Sequence, residues 1–211
     1  MNEIKLDYCV DAAFTETEKD KLVAAVNILG KVVNDELFRD KVTNYTWSDT
    51  EKKYLTFLMN NDLSNQQVLE KLLNGRDKFE NTDDYTLNLK LVPYENIDAI
   101  EGYVRGNSPE IHINKLYLDG WHPVVVAGII LHEYCHNLGF MHDQGFFHSL
   151  VKEHLHTVPY ALGFILYDIA NEVCKDDPSY LPYYDDQNKP VFMSAMADHC
   201  KDIVASLKGF K

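Results

Sequence analysis

No stretch of this chain is long and apolar enough to suggest a membrane span. The longest apolar run, Val124 to Leu131, falls far short of the roughly 20 residues a bilayer-crossing helix needs, and it leads straight into polar chemistry. A secretory hydrophobic region is missing too: Glu3, Lys5 and Asp7 break up the first residues, Met1 to Asp11, so no signal peptide is visible. The expectation is a soluble protein, either cytoplasmic or a mature secreted domain. Positive charge is scarce, with 20 Lys and Arg against 33 Asp and Glu and a formal charge of -13. No local basic patch offsets that field, which argues against nucleic acid and anionic membranes as partners. Cysteine is sparse and scattered. Cys9, Cys135, Cys174 and Cys200 form no Cys-x-x-Cys pair, which excludes a thiolate cage and a dense disulfide framework and leaves their redox state open. Internal repeats and low-complexity tracts are absent as well.

What is present suffices for one ordinary core. An apolar share of 45% in 211 residues predicts a single domain over 1–211, with a cleft between an N-terminal lobe of about 1–142 and a C-terminal lobe of about 143–211. Ile4 to Val10 reads as extended. Thr15-Glu16-Thr17-Glu18 suits a helix start, and Leu22, Val23, Val26, Leu29, Val32 and Val33 carry helical spacing to about Leu37. From Thr43 to Met59 the aromatic residues favour strand while Glu51 to Lys53 favours helix, and both stay open. Ser64 ahead of Gln66 and Gln67 marks a short helix ending near Gly75. Alternation of Tyr85, Leu87, Leu89 and Leu91, then Tyr103, then Ile111, Ile113 and Leu116 or Tyr117 predicts strands. Asp119-Gly120 turns the chain and Pro123 suits a first helical residue, so Val124 to Asn137 is predicted to be a buried helix. Pro159 opens another, to about Cys174. Pro178, Pro182 and Pro190 then impose a loop before a final helix, Val191 to Leu207. The fold class is α+β.

The chemistry lies in His132-Glu133-Tyr134-Cys135-His136-Asn137-Leu138-Gly139-Phe140-Met141-His142. Two imidazoles four residues apart share one face of the predicted helix, and both can reach one ion at about 2.0 to 2.1 Å. Glu133, beside them, need not bind the metal and can hold a water at its open position. Gly139 falls where a left-handed residue ends a helix, so the chain can double back and bring in His142 as a third ligand. Three nitrogens plus water is the arrangement of a catalytic rather than a closed structural zinc. Asp143 is placed to orient one of the rings. Five fixed positions would coincide by chance on the order of once in 10⁴ to 10⁵ such chains, so the risk of a false match is small.

This segment resembles the extended zinc signature of the metzincin metallopeptidases, and the order of opening strand, helix, further strands and motif helix is similar to that family's upper lobe. The resemblance implies an α+β zincin-type fold, with a twisted sheet and the motif helix in the upper lobe and a smaller, mainly helical lower lobe. It implies one zinc per chain held by His132, His136 and His142, with Glu133 as general base. It also implies a peptide or protein substrate lying extended against an edge strand, for which Pro109 to Leu118 is the candidate. The implied activity is peptide-bond hydrolysis by a metal-activated water, endopeptidase rather than exopeptidase. A hydrolase of a non-peptide amide is the enzymatic alternative, and a zinc-stabilised binding module or inactive homologue the other; Glu133 argues against the latter, since a structural site has no need of it. Met193 is the candidate for the family's methionine turn, with Met196 second. Tyr160, after Val158-Pro159, is a rival feature near the metal whose hydroxyl would donate to the oxyanion, or else it packs a helix start. Cys9 either caps the metal of a latent peptidase or, the commoner case, belongs to the core.

Other histidines compete for these roles. His148, His154 and His156 lie close enough in sequence to offer a second metal or to replace His142, but His154 and His156, two apart, would face different sides of a helix. His112 and His122 suit polar surface or cleft positions. On this ranking, His142→Ala should lose most of its zinc on gel filtration, whereas His154→Ala and His156→Ala should each retain close to one equivalent by metal analysis.

Overall fold

The computed structural model describes residues 2–48, 52–79, 84–97, 101–142 and 155–180. In chain order the elements are β1 (Lys5–Val10), α1 (Glu16–Asn34), α2 (Glu36–Thr43), β2 (Trp47–Ser48), β3 (Lys53–Tyr54), α3 (Asn65–Leu73), β4 (Thr86–Tyr94), β5 (Gly102–Val104), β6 (Glu110–Asn114), α4 (Lys115–Leu118), α5 (Pro123–Asn137) and α6 (Val158–Cys174). The fold is thus mixed α+β. Its four-stranded sheet is ordered β1-β4-β6-β5, with β1, β4 and β6 parallel and β5 antiparallel to β6. Because strand residues alternate between faces, Leu87, Leu89, Leu91, Ile111 and Ile113 line one side. All are buried, in a core shared with Leu22, Leu29 and Val33 of α1 and Val126 and Ile130 of α5. No helix among the described residues is long and apolar enough to cross a membrane.

Local chemistry sets the element boundaries. At the start of α1 the Glu18 N–H donates to Thr15 Oγ1 at 3.3 Å and the Thr15 N–H to Glu18 Oε2 at 2.6 Å, a reciprocal cap that satisfies two otherwise unpaired donors. Ser64 and Gln67 form the same device on α3. Instead of continuing to Leu37, α1 stops at Asn34. Asp35 is extended (ψ 142°) and its carboxylate accepts the Leu37 N–H at 2.8 Å, which starts α2. The Asn34 side chain meanwhile pairs with both the N–H and the C=O of Ile4, at 2.7 and 2.9 Å, tying the start of the sheet to the end of α1. The span from Thr43 to Met59 contains the two-residue strands of the β2–β3 hairpin. Buried Asn65 organises it, with Nδ2 lying 3.2, 2.9 and 3.0 Å from the carbonyl oxygens of Thr43, Tyr45 and Leu55.

Two expectations for the strand before the motif helix need correction. It does not reach Leu116 or Tyr117, because the Asn114 side chain accepts the Leu116 N–H at 3.2 Å and begins α4. Nor is Pro109 to Leu118 an edge: β6 is hydrogen-bonded to β4 on one side and β5 on the other. The edge strand there is β5.

Through the middle runs α5. His122 is its N-cap, with Nδ1 accepting the Val124 N–H at 3.2 Å, and Pro123 follows where no N–H is needed. α6 approaches it closely: a Cβ on Gly128 would lie 2.4 Å from the Tyr167 ring, and one on Gly163 would lie 3.3 Å from the Gly128 oxygen. That approach sets Tyr160, early in α6, beside the end of α5. The chain entering α6 is also held by the small hairpin. Leu58 N–H donates to the His156 oxygen at 2.9 Å, Tyr45 Oη lies 2.7 Å from His156 Nδ1, and the His156 ring stacks on Trp47 at 4.2 Å and 10°. His156 therefore packs rather than ligates. The predicted helix from Val191 to Leu207 lies outside the described residues.

Burial pushes His156 from 6.5 down to about 4. The unfolded chain then binds a proton on this ring more readily than the folded protein, so its contribution to stability is intact above pH 6.5 and is lost as pH falls towards 4. Thermal unfolding of metal-free protein across that window should show a steeper acid loss of Tm for wild type than for His156→Asn, the difference isolating His156 from other buried imidazoles.

Candidate metal centre

The end of α5 carries His132 and His136 on one face, with ring centroids 5.1 Å apart. A turn brings in the third imidazole. Gly139, at φ 85°, lets its own N–H reach the His136 oxygen and the Phe140 N–H reach the Cys135 oxygen, both at 3.0 Å. This is the Schellman arrangement, which satisfies the last carbonyls of a helix and reverses the chain. His142 then lies with its ring 5.2 Å from that of His132 and 4.7 Å from that of His136. The Nε2 atoms of His132 and His142 are 3.3 Å apart, and one nitrogen from each of the three rings lies within 4.8 Å of the others. Two nitrogens bound tetrahedrally at about 2.0 to 2.1 Å sit roughly 3.3 Å from each other, so one edge of the set already has a ligand's spacing. Among the described residues, His132, His136 and His142 form a group that could hold a metal ion.

Electrostatics fit that role. The Phe140 carbonyl can only accept, so His136 Nδ1, 2.7 Å away, carries the hydrogen and Nε2 keeps its lone pair. Burial, then the neighbouring His136 and His142, hold His132 well below the ordinary histidine range, and burial also lowers His136. Metal binding requires such neutral imidazoles. Glu133 is beside them, with Oε1 4.0 Å from His132 Nε2. Burial, and after it the Glu101 carboxylate, push the Glu133 acid up to about 8. A carboxylate so poorly solvated is ionised at neutral pH only with a cation near it. Three clustered imidazoles, two of them held neutral by burial, and a buried acid suit a divalent ion. The Tyr160 ring completes the wall, 4.4 Å from His132 and 5.1 Å from His142. Burial first, then the charges of Glu101 and Glu133, raise its phenol, so the O–H keeps its proton and can donate.

Two residues at the centre stood outside the sequence motif. Gly102 opens β5 pressed against α5: a Cβ there would lie 2.9 Å from Ile129 Cγ2 and 3.3 Å from Glu133 Cγ. The edge strand thereby runs directly alongside Glu133. A glycine within a strand-like stretch signals close approach of backbone, which is the available hint for Gly102; no comparable signal marks Glu101. Other candidates fall elsewhere. His112 alternates with buried Ile111 and Ile113, so it faces the other side of the sheet, stacked on Tyr103 at 4.3 Å and 4°. Cys9 neither caps a metal nor joins the core; it is an exposed free thiol on β1, at the opposite edge of the sheet from β5. Asp143, Met193, Met196, His148, His154 and Cys200 lie outside the described residues. In comparisons with known proteins, the chain matches no family model, no curated protein and no solved structure.

The turn at Gly139 governs both ligand supports, since it places Phe140 against His136 and leads into His142. Left-handed backbone at a residue with a Cβ costs about 1 to 2 kcal/mol. Gly139→Ala should lower stability by about that amount in denaturant unfolding and weaken metal affinity by about tenfold or more in chelator competition. Gly139→Asn should be milder on both counts.

Proposed function

We propose that this chain is a zinc-dependent metallopeptidase of metzincin type, cleaving within polypeptides. The reading is carried by one observation, the buried Glu133 carboxyl group beside three clustered imidazole nitrogens, because a purely structural site has no use for such an acid. Imidazoles without thiolates suit zinc held for catalysis. The spacing from Gly139 to His142 and the placement of an edge strand beside the motif helix fit the same resemblance.

Bound zinc would supply Lewis acidity, polarising the scissile carbonyl and lowering the pKa of a water. Glu133 takes a proton from that water and passes it to the leaving amine nitrogen. Tyr160 donates its O–H to the oxyanion as charge develops there. The side of β5 turned away from β6 offers backbone groups to an extended peptide, which pairs as an added strand. Gly102 keeps that strand close enough to Glu133 for the scissile bond to lie within the acid's reach. Phe140 holds the His136 ring by its Nδ1 hydrogen and so fixes the nitrogen presented to the ion.

Glu133→Gln separates this reading from its rivals, since the amide keeps size and shape yet cannot accept a proton. Zinc content should be unchanged, while cleavage of a mixed peptide library should fall by about 10² to 10⁴. Tyr160→Phe should lower turnover more than substrate affinity. Equal rates for wild type and zinc-loaded Glu133→Gln would refute the mechanism. Zinc retained without any chelator-sensitive cleavage would leave a zinc-stabilised binding module or an inactive homologue, and turnover confined to non-peptide amides would change the substrate class.

A further inference from the structure

Glu101 holds no metal and moves no proton in the reaction proposed above, yet it immediately precedes the edge strand against which the proposed substrate would lie. Its backbone is fixed: the Asn114 N–H donates to the Glu101 oxygen at 3.0 Å, next to the Gly102↔Ile113 pair of the β5–β6 ladder. The following residue packs on Ile129 and Glu133. Glu101 therefore immediately precedes the residue that brings the edge strand onto the Glu133 side chain of α5. It lies at the start of the edge strand along which an added strand would pair.

We propose that Glu101 selects the substrate by charge, favouring a polypeptide with lysine or arginine in the segment lying against the start of β5. The inference rests on the peptidase reading of the site and adds to it the chemistry of the preferred substrate. Strand addition recognises backbone and is nearly indifferent to sequence, so discrimination falls to side chains flanking the added strand. A half-buried carboxylate such as that of Glu101 attracts a cation and repels an anion more strongly than one on open surface. The formal charge of -13 sets the long-range field in the same direction.

The test uses the whole zinc-loaded chain and variants of one casein-derived decapeptide in which each position in turn carries Lys, norleucine or Glu. Cleavage by wild type is read beside equilibrium binding of the same peptides to Glu133→Gln, which needs no turnover. At one position Lys should be preferred to norleucine by about tenfold, with Glu weakest. Glu101→Gln should bring the three within about twofold, Glu101→Lys should reverse their order, and Glu101→Asp, which keeps the charge, should preserve it. A Lys preference absent from both assays, or one that survives Glu101→Gln, overturns the proposal. Cleavage without charge preference does the same and leaves the peptidase reading in place. Binding in the Glu101-dependent order with no cleavage upholds the selectivity and removes the peptidase reading; neither binding nor cleavage removes both.

Discussion

Over its first half α5 is apolar on every side, from Val124 to Leu131, and a helix of that kind can be accommodated only in the interior. Its last turns are drawn out of water along with it. Desolvation therefore does two things at once. It packs α5 against α1, α6 and the sheet, and it keeps His132 and His136 uncharged while pushing Glu133 up. An isolated buried acid is costly unless something compensates it. Raised to about 8, Glu133 avoids that cost by keeping its proton, and a divalent ion at the three nitrogens would favour its ionised form.

The surroundings of the helix then determine what can stand beside it. Two glycines on one side, Gly128 and Gly163, allow α6 to come close enough to set Tyr160 against His132. One glycine on the other side, Gly102, allows the edge strand to lie on Glu133. Tyr134, a variable position of the motif, anchors the same turn by donating to the buried Gly75 oxygen at 3.1 Å. The residues between the histidines are thus as much structural as the histidines are chemical.

Much of this was legible in the sequence because it is local. The caps at Thr15 and Ser64, Pro123 at the head of α5, and the glycine ending it all act within a few residues of themselves, as does the spacing of His132, His136 and His142. What could not be read depends on distant partners. That α1 stops at Asn34 reflects competition between Asp35 capping and helix continuation, together with the pull of Ile4 on Asn34. That β6 lies inside the sheet depends on β5 folding back over it. The aromatic residues of the Thr43 to Met59 span show no clear period because they serve a stack on His156, more than a hundred positions later in the sequence. Glu101 comes near Glu133 only because Gly102, the next residue, lets the edge strand lie on α5.

The sheet also bears on when the candidate metal centre is completed. Pairing of β1 with β4 joins Lys5 to Thr86, and parallel contacts between residues so far apart form slowly during folding. The three imidazoles, by contrast, belong to one helix and its turn. They can meet before the sheet exists, whereas Glu101, Gly102 and Tyr160 come alongside only in the finished molecule. On the peptidase reading proposed above, a chain still folding could capture its ion early yet lack the groups that flank it, and such a chain would pose little danger to its own unfolded neighbours.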